Sequence, residues 1–293
     1  MPPMDGRRDN PLGLIAGAGR FPFLVAEGAR RAGRPVVAVG LRSLTDASLR
    51  KQVDAFRWSG VVRLGQWIRI FRRFGVREAI MAGSVRKSDM YGRCRLVRYL
   101  PDWTSIRLWF FEVADRRNDT ILRAVADHMQ RKGITLTNSV QYCPDHLPGP
   151  GVLTRQQPSP AQQRDIAFGW RIAKEMGRLD IGQSIAVKEQ EVIAVEAIEG
   201  TDRMIERAGQ LCRHGGWTLI KVAKPDQDPR FDVPTVGPDT IENLHRHGAK
   251  ALVFEAGITL AVDADRMIAL ADRYGIVVVA HEPGNIGQAQ QTS

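Results

Sequence analysis

Short apolar runs alternate with amphipathic stretches through the first half of the chain. These runs predict buried strands at 12–16, 36–39, 61–64 and 79–82. A helix is predicted to open at Pro22 and end near Gly33, and a second helix surrounds residues 67–74. Strands that alternate with helices indicate βαβ units and a mostly parallel sheet, whose ligands gather at the carboxyl ends of the strands.

The second half shows the same alternation with a hairpin added. Thr201 is predicted to cap the helix after the hairpin, and residues 239–242 match a capping box for the next helix. The paired strands around Glu189-Gln190 make this sheet a mixed one. The predicted strands are 184–188, 192–197, 217–220, 251–254 and 276–280, and the first and last helices are 161–176 and 263–274.

A cluster of prolines and glycines between residues 144 and 160 separates the two halves and is predicted to be the interdomain linker. A chain of 293 residues is long enough for two domains with ample core. We therefore predict an α/β protein with a Rossmann-like, mostly parallel sheet in residues 1–143 and a mixed-sheet catalytic domain in residues 161–293.

The chain carries 42 lysines and arginines against 32 aspartates and glutamates, a formal net charge of +10. This excess favours a negatively charged partner, namely nucleic acid, an anionic membrane surface or a phosphorylated substrate. Cys94, Cys143 and Cys212 are far apart, which indicates free thiols in a reducing cytosol. No apolar run is long enough to span a bilayer, so any membrane contact is expected to be peripheral.

Residues 86–117 interleave arginines, among them Arg93, Arg95 and Arg98, with aromatic residues. We rank three interpretations of this basic aromatic segment. The first is a platform for anionic lipid, the second a helix pair with a cationic outer face, and the third a nucleic-acid surface.

The densest charge lies in the loop from Lys221 to Asp232, which follows an apolar run. Pro225 and Pro229 exclude a helix or a central strand, so this segment is a stiff loop. Carboxylates on such a loop suit a hard cation such as Mg²⁺, and lysine or arginine can neutralise phosphate oxygens. A solvated surface loop with local salt bridges is the alternative. The charged residues are Lys221, Lys224, Asp226, Asp228, Arg230 and Asp232.

The turn from Gly17 to Arg20 resembles a dinucleotide-binding turn only in part. That fingerprint needs a third glycine where this chain has Pro22, and an acidic residue where it has Arg42. Nicotinamide binding is therefore disfavoured. Backbone N–H groups at the start of a helix still suit a phosphate or carboxylate, and a tight strand-to-helix turn explains the pattern equally well.

Five segments together resemble the UDP-2,3-diacylglucosamine pyrophosphatases of the LpxI type. They are residues 14–22, 81–85, 194–202, 221–237 and 254–257. The most specific is 221–237, which reads K-x-x-K-P-x-Q-D-x-R-x-D-x-P-x-x-G. The resemblance extends over nearly the whole chain, from Leu12 to Glu282.

This resemblance implies a hydrolase of lipid A biosynthesis that uses Mg²⁺ and holds its ligand in a cleft between its two domains. Its reaction would cleave the pyrophosphate of UDP-2,3-diacylglucosamine to UMP and 2,3-diacylglucosamine 1-phosphate, with water attacking the β-phosphorus. Glu199 and Asp202 are weaker candidates for the same site. The expected catalytic residues are Asp228, Asp232 and Lys224. The expected metal ligands are Asp228, Asp232 and Asp226, and the expected substrate contacts are Gly17, Ala18, Gly19, Arg20, Gly83, Ser84, Thr201, Lys221 and Arg230.

Two turns depart from the family pattern. The family reads Gly-Asp-Asp where this chain has Arg117-Asn118-Asp119, and Lys or Asn where this chain has Ser84. An acylated substrate implies a cytoplasmic protein on the inner face of the inner membrane, which favours lipid over nucleic acid as a partner. Two other functions stay open, a nucleotide-dependent oxidoreductase that uses the Gly17 turn and a non-catalytic RNA- or membrane-binding protein. A homodimer is also left open.

Overall fold

The computed structural model describes residues 10–85, 101–111, 118–225, 228–231 and 233–282. The chain divides into two compact units, each considered by itself. The first unit contains the described residues up to Pro144 together with those of the segment Asp228–Asp232. The second contains the described residues of Asp145–Gln227 and those from Val233 onward. Part of the loop 221–232 therefore packs with the first unit.

In the described part of the first unit, five parallel strands lie in the order Ala55–Ser59 (β3), Val36–Leu41 (β2), Leu12–Ala16 (β1), Glu78–Ala82 (β4) and Thr135–Leu136 (β5). The central strand β1 is wholly buried, as expected for a strand covered on both faces. From β1 the chain continues to β2 and β3 on one side of β1 and then crosses to β4 on its other side. The boundary between β1 and β4 is therefore the topological switch point, where such sheets bind ligands. The described α-helices of this unit are α1 (Phe21–Arg31), α2 (Leu64–Arg73), α3 (Trp103–Phe111) and α4 (Asn118–Arg131).

The third strand is Ala55–Ser59, and the prediction of a strand at residues 61–64 is wrong. Leu64 instead opens helix α2. Strand β3 lies at the sheet edge, where Arg57 is exposed and most of its neighbours are only half-buried. Its weak apolar pattern explains why the stronger run that follows it was mistaken for the strand.

In the described part of the second unit, six strands form a mixed sheet in the order Gly151–Val152 (β6), Val277–His281 (β13), Ala251–Glu255 (β11), Thr218–Lys221 (β9), Ser184–Lys188 (β7) and Glu191–Val195 (β8). Strands β7 and β8 form the predicted antiparallel hairpin, whereas β9, β11 and β13 are parallel. Strand β6 lies within the predicted linker and pairs antiparallel with β13. Two short strands, β10 (Thr235–Val236) and β12 (Leu260–Ala261), pair separately with each other.

Helices cover both faces of this mixed sheet. Helix α5 (Pro160–Arg178) packs Trp170 against residues of β7, β9 and β11. On the opposite face, Trp217 and Phe254 lie in a core formed with α6 (Thr201–Leu211), α7 (Pro238–Arg246) and α8 (Ala264–Tyr274). The predicted architecture of two α/β domains, one with a parallel and one with a mixed sheet, is confirmed.

The predicted capping box at 239–242 is wrong by two positions, because Gly237 and not Asp239 is the N-cap residue. Helix α7 begins at Pro238, so Asp239 lies in the first turn rather than at the cap. The N–H of Gly237 donates to Thr240 Oγ1 at 3.3 Å. Proline suits the first helical position because its fixed φ fits the helix and its missing N–H has no intrahelical partner there.

Within the part of the chain that the structure describes, no helix is both long enough and apolar enough to cross a bilayer.

Candidate active site

Asp228 is held in a turn that its own neighbours build. Its Oδ1 accepts the backbone N–H of Arg230 at 3.0 Å, and its carbonyl accepts the N–H of Phe231 at 3.0 Å. Aspartate commonly makes this local bond to the N–H two residues on. The flanking Pro229 restricts the backbone further, so the carboxylate has a defined orientation.

The guanidinium of Arg230 binds the carboxylate of Asp228 through two nitrogens. Nε lies 2.9 Å from Oδ1, and the terminal Nη2 lies 2.6 Å from Oδ2. Such bidentate pairs are the strongest and most directional of the charged hydrogen bonds. The guanidinium also lies over the ring of Phe231, which packs against the core of the first unit.

This pairing sets the ionisation of both groups. Hydrogen bonds from the Arg230 side chain hold the pKa of Asp228 below its ordinary value, against the opposing effect of partial burial. The positive charge of Arg123 acts in the same direction. The pKa of Arg230 is raised, chiefly by its hydrogen bonds to Asp228. The carboxylate is therefore ionised at neutral pH.

Ser139 fixes the middle of the same turn, and no motif in the sequence pointed to this residue. Both its backbone N–H and its hydroxyl donate to the carbonyl of Pro229, at 3.0 and 2.8 Å. Ser139 is almost fully buried and lies in the segment that follows β5. A residue 90 positions away in sequence thus holds the turn that carries Asp228.

Lys221 lies at the end of β9 in the second unit and is buried. Its ammonium donates to the carbonyl of Thr235 at 3.0 Å and to Thr201 Oγ1 at 3.4 Å. The hydroxyl of Thr201 in turn donates to Glu196 Oε2 at 3.1 Å, and Ser184 Oγ lies 3.4 Å from it. Two of the three ammonium donors of Lys221 are used within the protein, and its contact with substrate stays a prediction.

The prediction that Thr201 caps helix α6 is wrong. Gly200 occupies the cap position with φ +84°, and Thr201 is the first helical residue. The Thr201 hydroxyl therefore joins Lys221 and Glu196 instead of the free N–H groups of the helix. Glu199, a weaker candidate, pairs with Arg207 at 2.6 Å and accepts the N–H of Ala197.

Lys224 extends from the same loop and pairs with Asp180, with its ammonium 2.5 Å from Oδ1. The Lys224 side chain is 23% exposed. The structure thus places Lys221 and Lys224 in the second unit and Asp228 and Arg230 in the first. Asp226 and Asp232 lie outside the described residues, as do Arg93, Arg95 and Arg98.

The two glycine turns meet at the switch point of the parallel sheet. Ala18 and Ser84 exchange backbone hydrogen bonds of 3.0 Å, and Gly17 donates to the carbonyl of Ala82 at 2.8 Å. A Cβ on Gly17 would lie 2.9 Å from the carbonyl oxygen of Ser84, so this glycine is required for close approach. These amides serve the fold, because each donates to a carbonyl of the facing turn.

Gly19 differs from its neighbours in this turn. It has φ +91°, and a Cβ placed on it would meet nothing within 4 Å. A substrate contact from this turn therefore remains a prediction for Gly19 and Arg20, while the backbone donors of Gly17, Ala18 and Ser84 are already engaged. Gly83 also has φ +91° and packs against the carbonyl of Ala18.

Comparison with known proteins identifies the family. The model of the LpxI N-terminal domain matches residues 11–146, and that of the LpxI C-terminal domain matches residues 149–279. The chain belongs to the LpxI family. It is 34% identical over 282 residues to the UDP-2,3-diacylglucosamine pyrophosphatase LpxI of Caulobacter vibrioides, covering 93% of this chain and 98% of that protein.

Solved structures add little to the LpxI assignment. Two biotin carboxylase domains of 2-oxoglutarate carboxylase, one of them from Hydrogenobacter thermophilus, match 69% of this chain and 41% of theirs. Their TM-scores are 0.25 and 0.23, at 15% and 17% identity.

The loop of this LpxI family member offers oxygen ligands of the kind that Mg²⁺ prefers. Asp228 provides an ionised carboxylate, although Arg230 engages both of its oxygens. Among the described residues, no group of three or more His, Cys, Asp or Glu side chains is arranged to hold a metal. Of the three predicted ligands, Asp228 is the one that lies among the described residues, and its carboxylate fits the chemistry of such a site; Asp226 and Asp232 lie outside the described residues.

Proposed function

We propose that this protein hydrolyses the pyrophosphate bond of UDP-2,3-diacylglucosamine and releases UMP and 2,3-diacylglucosamine 1-phosphate. This reaction belongs to lipid A biosynthesis. Support comes from membership of the LpxI family and from the full-length similarity to the Caulobacter enzyme. The observation that carries the proposal is the ionised carboxylate of Asp228, fixed in a turn of the family's most specific segment.

Hydrolysis of a pyrophosphate needs an oriented water and neutralisation of the charge on the phosphate oxygens. In this proposal the Asp228 carboxylate orients the water, because it is ionised and held in place by local bonds. Arg230 and Lys224 neutralise phosphate oxygens, with Asp228 and Asp180 as their partners when substrate is absent. Asp232 assists catalysis. Substrate would thus exchange one set of charged hydrogen bonds for another.

The proposed cofactor is Mg²⁺, for which Asp228, Asp226 and Asp232 are the proposed ligands. It would neutralise charge on the pyrophosphate when bound. Arg230 would then have to share or give up the carboxylate of Asp228, and its own charge would be free for a phosphate oxygen.

Release of UMP from UDP-2,3-diacylglucosamine by the purified protein tests the proposal directly. We expect turnover with Mg²⁺, loss of turnover with excess EDTA, and recovery when Mg²⁺ is restored. In water enriched in ¹⁸O, attack at the β-phosphorus places the label in 2,3-diacylglucosamine 1-phosphate and none in UMP. A protein that releases no UMP under any of these conditions would contradict the proposed function.

Ser139→Ala should lower kcat about two- to tenfold, the effect of losing one hydrogen bond. The backbone N–H of Ser139 still holds Pro229, so the turn loosens without unfolding, and KM should change little. Thr137→Val is the matched control, because its hydroxyl donates to the carbonyl of Ala79 and accepts from Gln141 Nε2, and neither of these bonds is made to the turn. Steady-state kinetics of both variants measure the effect. Equal kcat for the two would show that the Ser139 hydroxyl does not position Asp228.

We further propose that the protein binds the cytoplasmic face of the inner membrane as a peripheral protein, through the basic aromatic segment 86–117. Neutralising three arginines of this segment should weaken binding to anionic vesicles by about 1 kcal/mol per charge, and high salt should weaken it further. Vesicle sedimentation measures this. Undiminished binding would place the contact elsewhere. The test variant neutralises Arg93, Arg95 and Arg98, and a control of equal charge neutralises the exposed Arg72, Arg73 and Arg77.

A further inference from the structure

A charged pair in the second unit holds the residue that precedes Lys224. Glu255 Oε2 accepts the N–H of Ala223 at 2.7 Å. The ammonium of Lys174 donates to the carbonyl of Ala223 at 3.1 Å. The same ammonium lies 3.1 Å from both oxygens of Glu255. Both backbone polar groups of Ala223 are therefore bound by one ion pair.

The two charged residues come from separate elements that meet at the carboxyl end of the sheet. Glu255 is the last residue of β11. Lys174 lies on α5, the helix that packs on one face of the sheet. Ala223 follows β9, the strand next to β11. The pair therefore acts where the chain leaves the sheet and enters the loop that carries the predicted active residues.

Stability alone does not account for the choice of charged side chains here. The Glu255 side chain is 1% exposed and that of Lys174 is 32% exposed. Removing a carboxylate from water is costly, and apolar residues of similar volume are often equally stable in such positions. What an apolar pair cannot provide is hydrogen bonds to the N–H and the carbonyl of Ala223.

The backbone of Lys224 is constrained from both directions. On one side the carbonyl of Ala223, which belongs to the same peptide as the Lys224 N–H, is held by Lys174. On the other side Pro225 disfavours a helical conformation for the residue before it. The direction in which the Lys224 side chain leaves the loop is thus fixed before any substrate binds.

We infer that Lys174 and Glu255 are positioning residues that hold Ala223 and thereby fix Lys224 for its contact with the phosphate in the transition state. This inference rests on the proposed function, in which Lys224 neutralises a phosphate oxygen. Neither residue contacts substrate in this account. Their effect passes through the backbone, and it should therefore appear in kcat more than in KM.

Two double variants separate the hydrogen bonds from the charges. Lys174→Met with Glu255→Met removes the bonds to Ala223 and leaves no buried charge unpaired. Lys174→Gln with Glu255→Gln is equally neutral but keeps a donor for the Ala223 carbonyl and an acceptor for its N–H. Glu175→Ala with Arg178→Ala is the matched control, because it removes an exposed ion pair from the same helix without contacting Ala223.

We expect the Met pair to lower kcat about 100-fold with KM nearly unchanged, a loss typical of small misplacement of a reacting group. The Gln pair should stay within about fivefold of the natural protein, the effect of one weakened hydrogen bond. The control should match the natural protein. Hydrogen exchange by NMR should show faster exchange of the Ala223 N–H in the Met pair alone.

A folded Met pair with the kcat of the natural protein would overturn the inference. A folded Gln pair that is as inactive as the Met pair would also overturn it, because loss of charge would then explain the loss of activity. If the Met pair does not fold, the Gln pair tests the inference by itself. Slow exchange of its Ala223 N–H together with a retained kcat would support the inference, because this variant keeps the hydrogen bonds and lacks the charges. Natural protein that releases no UMP would overturn the proposed function and with it the role of Lys224. Slow Ala223 exchange in that protein would still establish that the pair holds the backbone.

Discussion

Asp228→Ala is expected to lower kcat by about a thousandfold or more, comparable to the loss of a main electrostatic or acid–base group. The carboxylate is ionised through Arg230 and oriented by the N–H of the same residue. Its proposed role is exerted on the attacking water, so the loss should fall on the transition state. KM should change far less, because the uridine and the acyl chains remain to bind. Release of UMP under saturating substrate measures the effect.

The same variant should remain folded. Asp228 lies in a turn that Ser139 and Phe231 also hold, so its removal should cost about 1 kcal/mol. In a protein of this size that lowers Tm by about 2–4 °C. Asp228→Asn separates charge from shape, since its amide oxygen can still accept the N–H of Arg230. We expect Asp228→Asn to be almost as inactive as the alanine variant and to melt as the natural protein does.

Asp46 offers a matched control for the Asp228 result. Its Oδ1 accepts the N–H of Ser48 at 2.8 Å, the same two-residue spacing as in the Asp228 turn. This bond is the main cause of the lowered pKa of Asp46. Because Asp46 has the same local bond but no role in the proposed reaction, Asp46→Ala should retain full activity. An active Asp228→Ala protein would remove Asp228 from the mechanism and make Asp232 the leading candidate.

The sequence predicted most of the fold because burial periodicity is a local property. Strand β1 and the hairpin of β7 and β8 were placed within two residues, since their apolar runs are bounded by turn residues. Strand β3 was missed because an edge strand buries little of its surface. The cap at Thr201 was misplaced because the same hydroxyl that suits a cap also suits a buried bond to Glu196.

The sequence could predict only those residues of the site that lie together in one segment. The clustering of Asp228, Arg230 and Lys224 is visible in the loop sequence itself. Their partners are not, because Ser139 and Asp180 come from distant parts of the chain. Glu255 stood in a segment that resembles the family, yet only its contact with Ala223 suggests what it does. Residue type indicated the chemistry, and long-range contacts supplied the positions.

Arg230→Gln should change both the rate and its pH dependence. Arg230 keeps the pKa of Asp228 low, so removal of the guanidinium should raise that pKa toward its ordinary value. Activity needs the ionised carboxylate, which is present above the pKa and lost as the pH falls through it. The acidic limb of kcat/KM, which reports groups of the free enzyme, should therefore move to higher pH.

On the plateau above that limb, Arg230→Gln should still lose about 100-fold in kcat/KM, because a phosphate oxygen has lost its cationic partner. Arg230→Lys should recover part of the rate, since a lysine restores the charge but cannot bind a carboxylate through two nitrogens. Arg207→Gln removes an arginine from another carboxylate, Glu199, and should leave the acidic limb in place. If the acidic limb of kcat/KM does not move in Arg230→Gln, the group that titrates there is not Asp228. If this variant keeps the plateau kcat/KM of the natural protein, Arg230 is not a phosphate contact.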